Sequence, residues 1–179
     1  MTKVLNLIER LANRNGIIVL FILYAVVFGA IQVTLGQLAD VSGGYGILDF
    51  DRGYSPERVA EVLGSYGDHG MTLYARIQLL DLLNPALYAL LFACLTYLLW
   101  KPKGQQWLAI LPLLAGIGDY LENVTLFLLA RSYPDISEGL VSVSSTLSLV
   151  KNGLLALALL GFVIGLIVWL YARMGARTT

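Results

Sequence analysis

Four long apolar runs divide the chain, at about residues 16–37, 79–100, 106–130 and 150–172. Each run is apolar on every side, which is typical of helices that face lipid or the inside of a bundle. About 20 apolar residues in a helix cross the hydrocarbon core of a bilayer. The pattern therefore predicts an all-α integral membrane protein with four transmembrane helices in an up-down bundle. We expect the whole chain, 1–179, to form a single polytopic membrane domain.

A polar segment at about 38–78 separates the first two runs. Its "SPE" motif begins with Ser55, which can cap a helix, and Pro56 suits the first helical position. Apolar residues then recur at helical spacing, so we predict a short amphipathic helix on the extracytoplasmic side. The "GDHG" motif at 67–70 should break this helix. A new helix should then continue into the second run and bend at Pro85.

Basic residues are more numerous on one side of the predicted membrane. The two terminal stretches and the loop between the second and third runs share seven of them: Lys3, Arg10, Arg14, Lys101, Lys103, Arg173 and Arg177. The opposite side has four: Arg52, Arg58, Arg76 and Arg131. The positive-inside rule then places both termini in the cytoplasm. We accordingly expect a multi-pass protein of a bacterial-type inner (plasma) membrane.

Composition agrees with a membrane location and excludes several classes of partner and chemistry. Hydrophobic residues make up 58% of the chain and charged residues 13%, whereas soluble domains have about 45–50% and about 25%. A formal net charge of zero argues against a nucleic-acid partner. The single cysteine, Cys94, excludes an internal disulfide and the paired thiols of membrane disulfide-exchange enzymes. The sequence also lacks phosphate-loop and zinc-protease motifs, so we expect no cofactor and no metal.

The third apolar run is interrupted by the polar sequence "GDYLEN". On a helix, Asp119, Glu122 and Asn123 are three and four residues apart and share one face. A charged side chain at the centre of a bilayer costs about 2.5–3.5 kcal/mol even on the mildest scale. These side chains must therefore face a protein interior, pair with other groups, or contact water.

The second and fourth runs carry polar residues at a similar depth. These residues lie near the extracytoplasmic ends of their runs and are spaced to share one helix face: Asp81, Asn84, Tyr88, Ser148, Lys151 and Asn152. Intramembrane ionisable residues usually face a bundle interior or a cavity. We therefore predict a polar cavity that is lined by the second, third and fourth helices and opens to the extracytoplasmic side.

Such a cavity suits a membrane lipid or another amphiphilic small molecule that enters sideways between helices. Asp119 and Glu122, with Asp81 as a partner, are candidate catalytic residues, because a positioned acid and base can move a proton on and off a substrate. The candidate ligand-binding residues are Asn84, Tyr88, Asn123, Ser148, Lys151 and Asn152. The residues leave open whether the protein is an enzyme.

Two alternative functions use the same polar residues. In the first, the protein is an accessory or structural subunit, and its buried acids, amides and Lys151 only join helices. In the second, it is a proton- or ion-coupled transporter, because intramembrane acids can form a proton relay. The small residues of the fourth run also allow a homo-oligomer or another membrane protein as partner: Gly153, Ala156, Gly161 and Gly165.

Overall fold

The computed structural model describes residues 2–51 and 53–175, and in these ranges the chain contains helices and turns but no strand. The α-helices are α1 (Thr2–Leu11), α2 (Arg14–Val41), α3 (Pro56–Leu80), α4 (Asn84–Trp100), α5 (Ile110–Ser132) and α6 (Glu138–Gly175). Short 3₁₀ turns occupy Leu48–Phe50, Lys101–Lys103 and Gln106–Ala109.

Four helical stretches are long and apolar enough to cross a membrane: Arg14–Val41, Pro56–Lys103, Gln106–Ser132 and Glu138–Met174. The prediction of an all-helical chain with four apolar spans is therefore confirmed in the length and composition of these helices. The first and fourth of these stretches, which contain α2 and α6, are little buried within the chain and expose apolar side chains along their length. These surfaces are suited to contact with lipid.

The second stretch contains two interruptions. Within α3, Gly67 has φ +55° and ψ −173°, a conformation in which glycine avoids the strain of a side chain. The predicted break at 67–70 is therefore confined to one residue. A turn at 81–83 then separates α3 from α4, whose first turn contains Pro85. A proline ring clashes with the carbonyl four residues earlier, so a continuous helix cannot pass this point.

The first part of α3 packs onto neighbouring helices. Its N-cap, Ser55, accepts a hydrogen bond from the backbone N–H of Arg58 at 3.3 Å. Its buried side chains belong to a cluster that we call the α3 core: Ile31, Leu38, Ile47, Leu48, Val59, Val62, Leu63, Tyr66, Leu73, Tyr74, Ile77, Leu126, Leu129 and Val141. The α2–α3 connection (residues 42–55) contributes two of these, so it folds back against the helices.

A second buried cluster, the α1 core, lies where α1 packs against α4. Its members are Ile8, Ala12, Leu20, Leu91, Ala93, Cys94, Tyr97 and Ala109. Cys94 is completely buried there, as a small packing residue would be.

Two glycines permit close approaches of helices to α4. A Cβ atom at Gly116 of α5 would lie 2.8 Å from the Cβ atom of Ala89. A Cβ atom at Gly165 of α6 would lie 2.7 Å from Nε1 of Trp100. The Trp100 indole donates a hydrogen bond to the carbonyl of Gly161 at 3.0 Å. Helices α5 and α6 therefore pack tightly on α4, whereas α2 packs on α3 and on α4.

Candidate functional site

Lys151 of α6 is the centre of a buried charge cluster. Its Nζ atom lies 3.4 Å from Oδ1 of Asp49 and 3.3 Å from Oδ1 of Asp119, and it also contacts Oε2 of Glu122. Lys151 is 7% exposed, Asp119 is 8% exposed and Glu122 is fully buried. An ammonium group has three N–H donors. The ammonium therefore has as many carboxylate neighbours as it has donors, and the cluster carries two more negative than positive formal charges.

Asp49 is the member that sequence reasoning missed. It lies in the α2–α3 connection, within the polar segment that the sequence separates from the apolar runs. Its neighbours in the sequence, Ile47 and Leu48, are buried in the α3 core and hold the carboxylate against α6. Burial raises the pKa of Asp49 to about 6, although the Lys151 ammonium opposes this shift. The apolar residues beside Asp49 were the available signal that this part of the connection folds inward.

Asp81 forms a second polar centre at the turn between α3 and α4. Its Oδ1 atom accepts a hydrogen bond from Nδ2 of Asn84 at 3.0 Å, and its Oδ2 atom accepts one from Nδ2 of Asn123 at 2.7 Å. No salt bridge in residues 2–51 and 53–175 involves Asp81. This carboxylate is therefore held by two amides and has no cation beside it.

Tyr88 links α4 to the charge cluster. Its hydroxyl group donates to Oδ2 of Asp119 at 3.0 Å, while Oδ1 of Asp119 faces Lys151. Tyr88 is 9% exposed. The two oxygens of Asp119 thus have different partners, a phenol and an ammonium, and this carboxylate connects α4, α5 and α6.

A cavity of about 400 Å³ lies beside both polar centres. Its polar lining is Gln32, Asp49, Asp81, Asn84, Tyr88, Asp119, Lys151 and Asn152. Its apolar and aromatic lining is Tyr24, Phe28, Ile31, Leu35, Ile47, Ile77, Phe92, Leu155 and Leu159. The first span and the α2–α3 connection therefore contribute to the wall, which the sequence had assigned to the second, third and fourth spans alone.

Three predicted site residues do not line this cavity. Glu122 lies behind Asp119, where it contacts Lys151. Asn123 lines a separate groove of about 560 Å³ between the α3–α4 turn and α5, and reaches the site only through its bond to Asp81. Ser148 is fully buried and its hydroxyl donates to the carbonyl of Asp51 at 3.4 Å. These three residues support the cavity from behind.

Hydroxyl groups fasten the α2–α3 connection to α5 and α6. The oxygens of Tyr54, Ser144 and Thr125 lie in a row with 2.7 Å between neighbours. The backbone N–H of Tyr54 also donates to Oγ of Ser145 at 3.0 Å. These bonds hold in place the segment that carries Asp49.

The cavity has a mouth beside lipid-facing residues. Phe28 of α2 and Leu159 of α6 both line it, and each is 41% exposed. Gln32 of α2, which also lines the cavity, is exposed as well. We infer from these exposed lining residues that the cavity opens between α2 and α6.

The carboxylates around Lys151 also resemble a metal site in their spacing. One oxygen each from Asp49, Asp119 and Glu122 lie within 4.8 Å of one another. Hard cations such as Mg²⁺ and Ca²⁺ prefer oxygen ligands of this kind. However, the Lys151 ammonium contacts all three carboxylates, so a metal ion would have to displace it.

No family model matches the chain, and no curated protein or solved structure matches it either.

Proposed function

We propose that this protein binds a lipid-like amphiphile in the cavity between α2 and α6. The observation that carries the proposal is the division of the cavity wall. Most polar and charged groups come from the α2–α3 connection, the α3–α4 turn, α4, α5 and α6, with Gln32 from α2. Most aromatic and aliphatic side chains come from α2 and α6, with single residues from the connection, α3 and α4. A lipid-like molecule likewise has a polar head group and an apolar chain. Its apolar chain can enter at the mouth between Phe28 and Leu159 without crossing water.

The proposed setting is a four-helix up-down bundle in an inner membrane with both termini in the cytoplasm. The α2–α3 connection and the first part of α3 then lie at the extracytoplasmic end, where they cover the α3 core. The cavity faces the extracytoplasmic leaflet in this arrangement. The excess of basic residues in the terminal stretches supports this orientation.

Acid–base processing of the bound molecule is a further part of the proposal. Asp119 lines the cavity and could exchange a proton with a ligand, with Asp81 as the second carboxyl group. Glu122 is fully buried and does not line the cavity, so its role would be to position Lys151 and Asp119. The remaining lining groups, Asn84, Tyr88 and Asn152, would orient the polar part of the ligand.

An accessory or structural role is the main competing function, and one observation favours it. Lys151 connects α6 to α5 and to the α2–α3 connection, which is what a helix-joining network would do. A transporter has less support, because the α1 core packs apolar residues at the other end of α4. An apolar barrier of this kind would have to open before an ion or proton could cross.

Native mass spectrometry of the protein purified in mild detergent tests the proposal. The wild-type protein should retain an additional mass in the range of a lipid. Leu155→Trp, which fills the cavity, should lose this mass, and so should Asp119→Asn/Glu122→Gln. Leu157→Trp is the matched control, because Leu157 lies two residues away on α6, is 54% exposed and does not line the cavity.

Two results would contradict the proposal. If Leu155→Trp retains the same mass as Leu157→Trp, the bound molecule occupies another surface. If the wild type retains no mass and Asp119→Asn/Glu122→Gln unfolds at a clearly different temperature, the polar residues act on helix association alone and the accessory role is correct.

A further inference from the structure

The polar part of the cavity has more acceptors and negative charges than donors and positive charges. Among the described lining residues, Asp49, Asp81 and Asp119 are acidic and Lys151 is the one basic residue. Glu122 adds a further carboxylate directly behind them. In a site of low dielectric constant, a formal charge without a counter-charge is costly. A ligand that brings a positive charge would reduce this cost.

Lys151 cannot provide an anion-binding group as it stands. Its three N–H donors face three carboxylates, so none is left for a phosphate or carboxylate head group. An anionic ligand would also approach Asp49, Asp81 and Asp119 at short range. Like charges in a poorly solvated site repel one another strongly. The site therefore disfavours anionic lipids.

Asp81 and Asn84 present acceptors for a cation with N–H groups. Asp81 accepts bonds from two neutral amides and has no cation partner in the described part of the chain. The Nδ2 atom of Asn84 is used by Asp81, which fixes the orientation of the amide. Its Oδ1 atom is buried and lacks a hydrogen-bond donor among the described residues. One ammonium group could donate to both oxygens.

Aromatic side chains surround the apolar part of the same cavity. Tyr24 and Phe28 of α2 stack with ring centroids 5.4 Å apart, and Phe92 lines the wall from α4. The faces of aromatic rings attract cations as well as hydrocarbon. This lining suits both the alkyl chain of an amphiphile and the carbon atoms next to its charged nitrogen.

We propose that the amphiphile carries a protonated amine, whose ammonium group binds between Asp81 and Asn84 while its alkyl chain runs past Leu155 to the mouth at Leu159. This inference rests on the proposed function and names the chemical class of its ligand. It also gives the two polar centres different roles. Asp81 binds the ligand, whereas Lys151 and its three carboxylates form a preformed wall beside it.

Single-chain probes with the same alkyl chain test this inference. Binding of dodecylamine, dodecanol and dodecanoate to the detergent-purified full chain would be measured by native mass spectrometry, with melting temperature as a second readout. The wild type should bind dodecylamine at least about tenfold more tightly than either other probe. Asp81→Asn should remove this preference, so that dodecylamine binds no more tightly than dodecanol. Asp68→Asn, at an exposed acid, is the matched control and should behave like the wild type.

A second variant covers the case in which Asp81→Asn fails to fold. Asn84→Ala leaves the carboxylate in place but removes the unpaired acceptor and the N–H that donates to Asp81. It should weaken dodecylamine binding several-fold and dodecanol binding less. Equal binding of the amine and the alcohol, or tighter binding of dodecanoate, would overturn the inference. So would suppression of dodecylamine binding by Mg²⁺ or Ca²⁺ at concentrations that leave dodecanol binding intact, because the site would then be a metal site.

The same measurements distinguish this inference from the proposed function. If all three probes bind alike and Leu155→Trp blocks them all, the cavity binds amphiphiles without preference for an amine. In that case only the inference fails. If no probe binds, or if Leu155→Trp binds each probe as well as Leu157→Trp does, the proposed function fails as well.

Discussion

The two buried cores of the protein are stabilised in different ways. The α1 core consists of small and apolar side chains such as Ala93, Cys94 and Ala109, each completely buried. The region beside the α3 core contains the three buried charged residues of the described chain: Asp119, Glu122 and Lys151. The same helix, α4, contributes to the α1 core with Cys94 and to the polar region with Tyr88.

This comparison bears on the choice between a binding site and a helix-joining network. The α1 core shows that helices of this chain can associate through close apolar packing alone. Replacing a buried ion pair with apolar residues is often neutral or stabilising, because removing charges from water is costly. A charge cluster with one cation and three carboxylates is therefore a poor solution for packing alone. Its position beside a cavity therefore supports the proposed binding role over a role in packing alone.

The largest expected effect comes from removing the cation in the polar region. Lys151→Met leaves Asp49, Asp119 and Glu122 together without their shared donor. Loss of one partner from a buried pair typically costs about 3–5 kcal/mol of unfolding free energy. Thermal unfolding in detergent, followed by circular dichroism, should show a large decrease in melting temperature. Lys151→Met/Glu122→Gln should recover part of the loss, because one stranded carboxylate is also removed.

An exposed ion pair is the matched control for this change. Lys101 contacts Glu9 at 2.6 Å, and both side chains are about half exposed, at 54% and 49%. Exposed pairs of this kind contribute about 0–1 kcal/mol. Lys101→Met should therefore change the melting temperature little. If Lys151→Met and Lys101→Met lowered the melting temperature by similar amounts, the charge cluster would be hydrated like the exposed pair. The polar region would then not differ from the surface in its electrostatics.

The next largest effect concerns the apolar packing of α6 on α4. Gly165→Ala places a Cβ atom 2.7 Å from Nε1 of Trp100 and 3.2 Å from Cβ of Leu99, so the indole must move. Overpacking of this kind costs about 1–3 kcal/mol. Gly153→Ala on the same helix has open space around it and should be neutral or slightly stabilising. Thermal unfolding of the two variants would compare them directly, and equal stability would mean that this contact is loose.

The sequence predicted the elements of this fold better than it predicted the composition of the site. The apolar runs indicated four spans, and Gly67 and Pro85 indicated interruptions, because hydrophobic length and backbone chemistry are local properties. The acids of "GDYLEN" indicated a buried polar region for the same reason. Whether Asp49 would join that region depends on how the α2–α3 connection folds back, which no local pattern specifies. The contribution of α2 to the cavity wall is likewise set by packing between distant helices.

The smallest expected effect is the contribution of Asp49 to the pH dependence of stability. Measuring it compares a carboxyl group of the polar region with one at the protein surface. The pKa of Asp49 in the folded protein is about 6 because burial disfavours the carboxylate. In an unfolded chain the pKa of an aspartate is about 3.9. The folded state therefore binds a proton at Asp49 before the unfolded state does. This group adds stability as the pH falls through about 6, and that contribution is lost as the pH rises through the same value.

Asp49→Asn removes this titration, so the comparison with the wild type isolates it. Relative to Asp49→Asn, the wild type should gain about 1 kcal/mol of unfolding free energy between about pH 7.5 and pH 5. Asp68→Asn, at an exposed aspartate on α3, provides the surface reference. A difference between the wild type and Asp49→Asn that stays constant over this range would show that Asp49 remains ionised down to pH 5. Burial would then not raise its pKa in the folded protein.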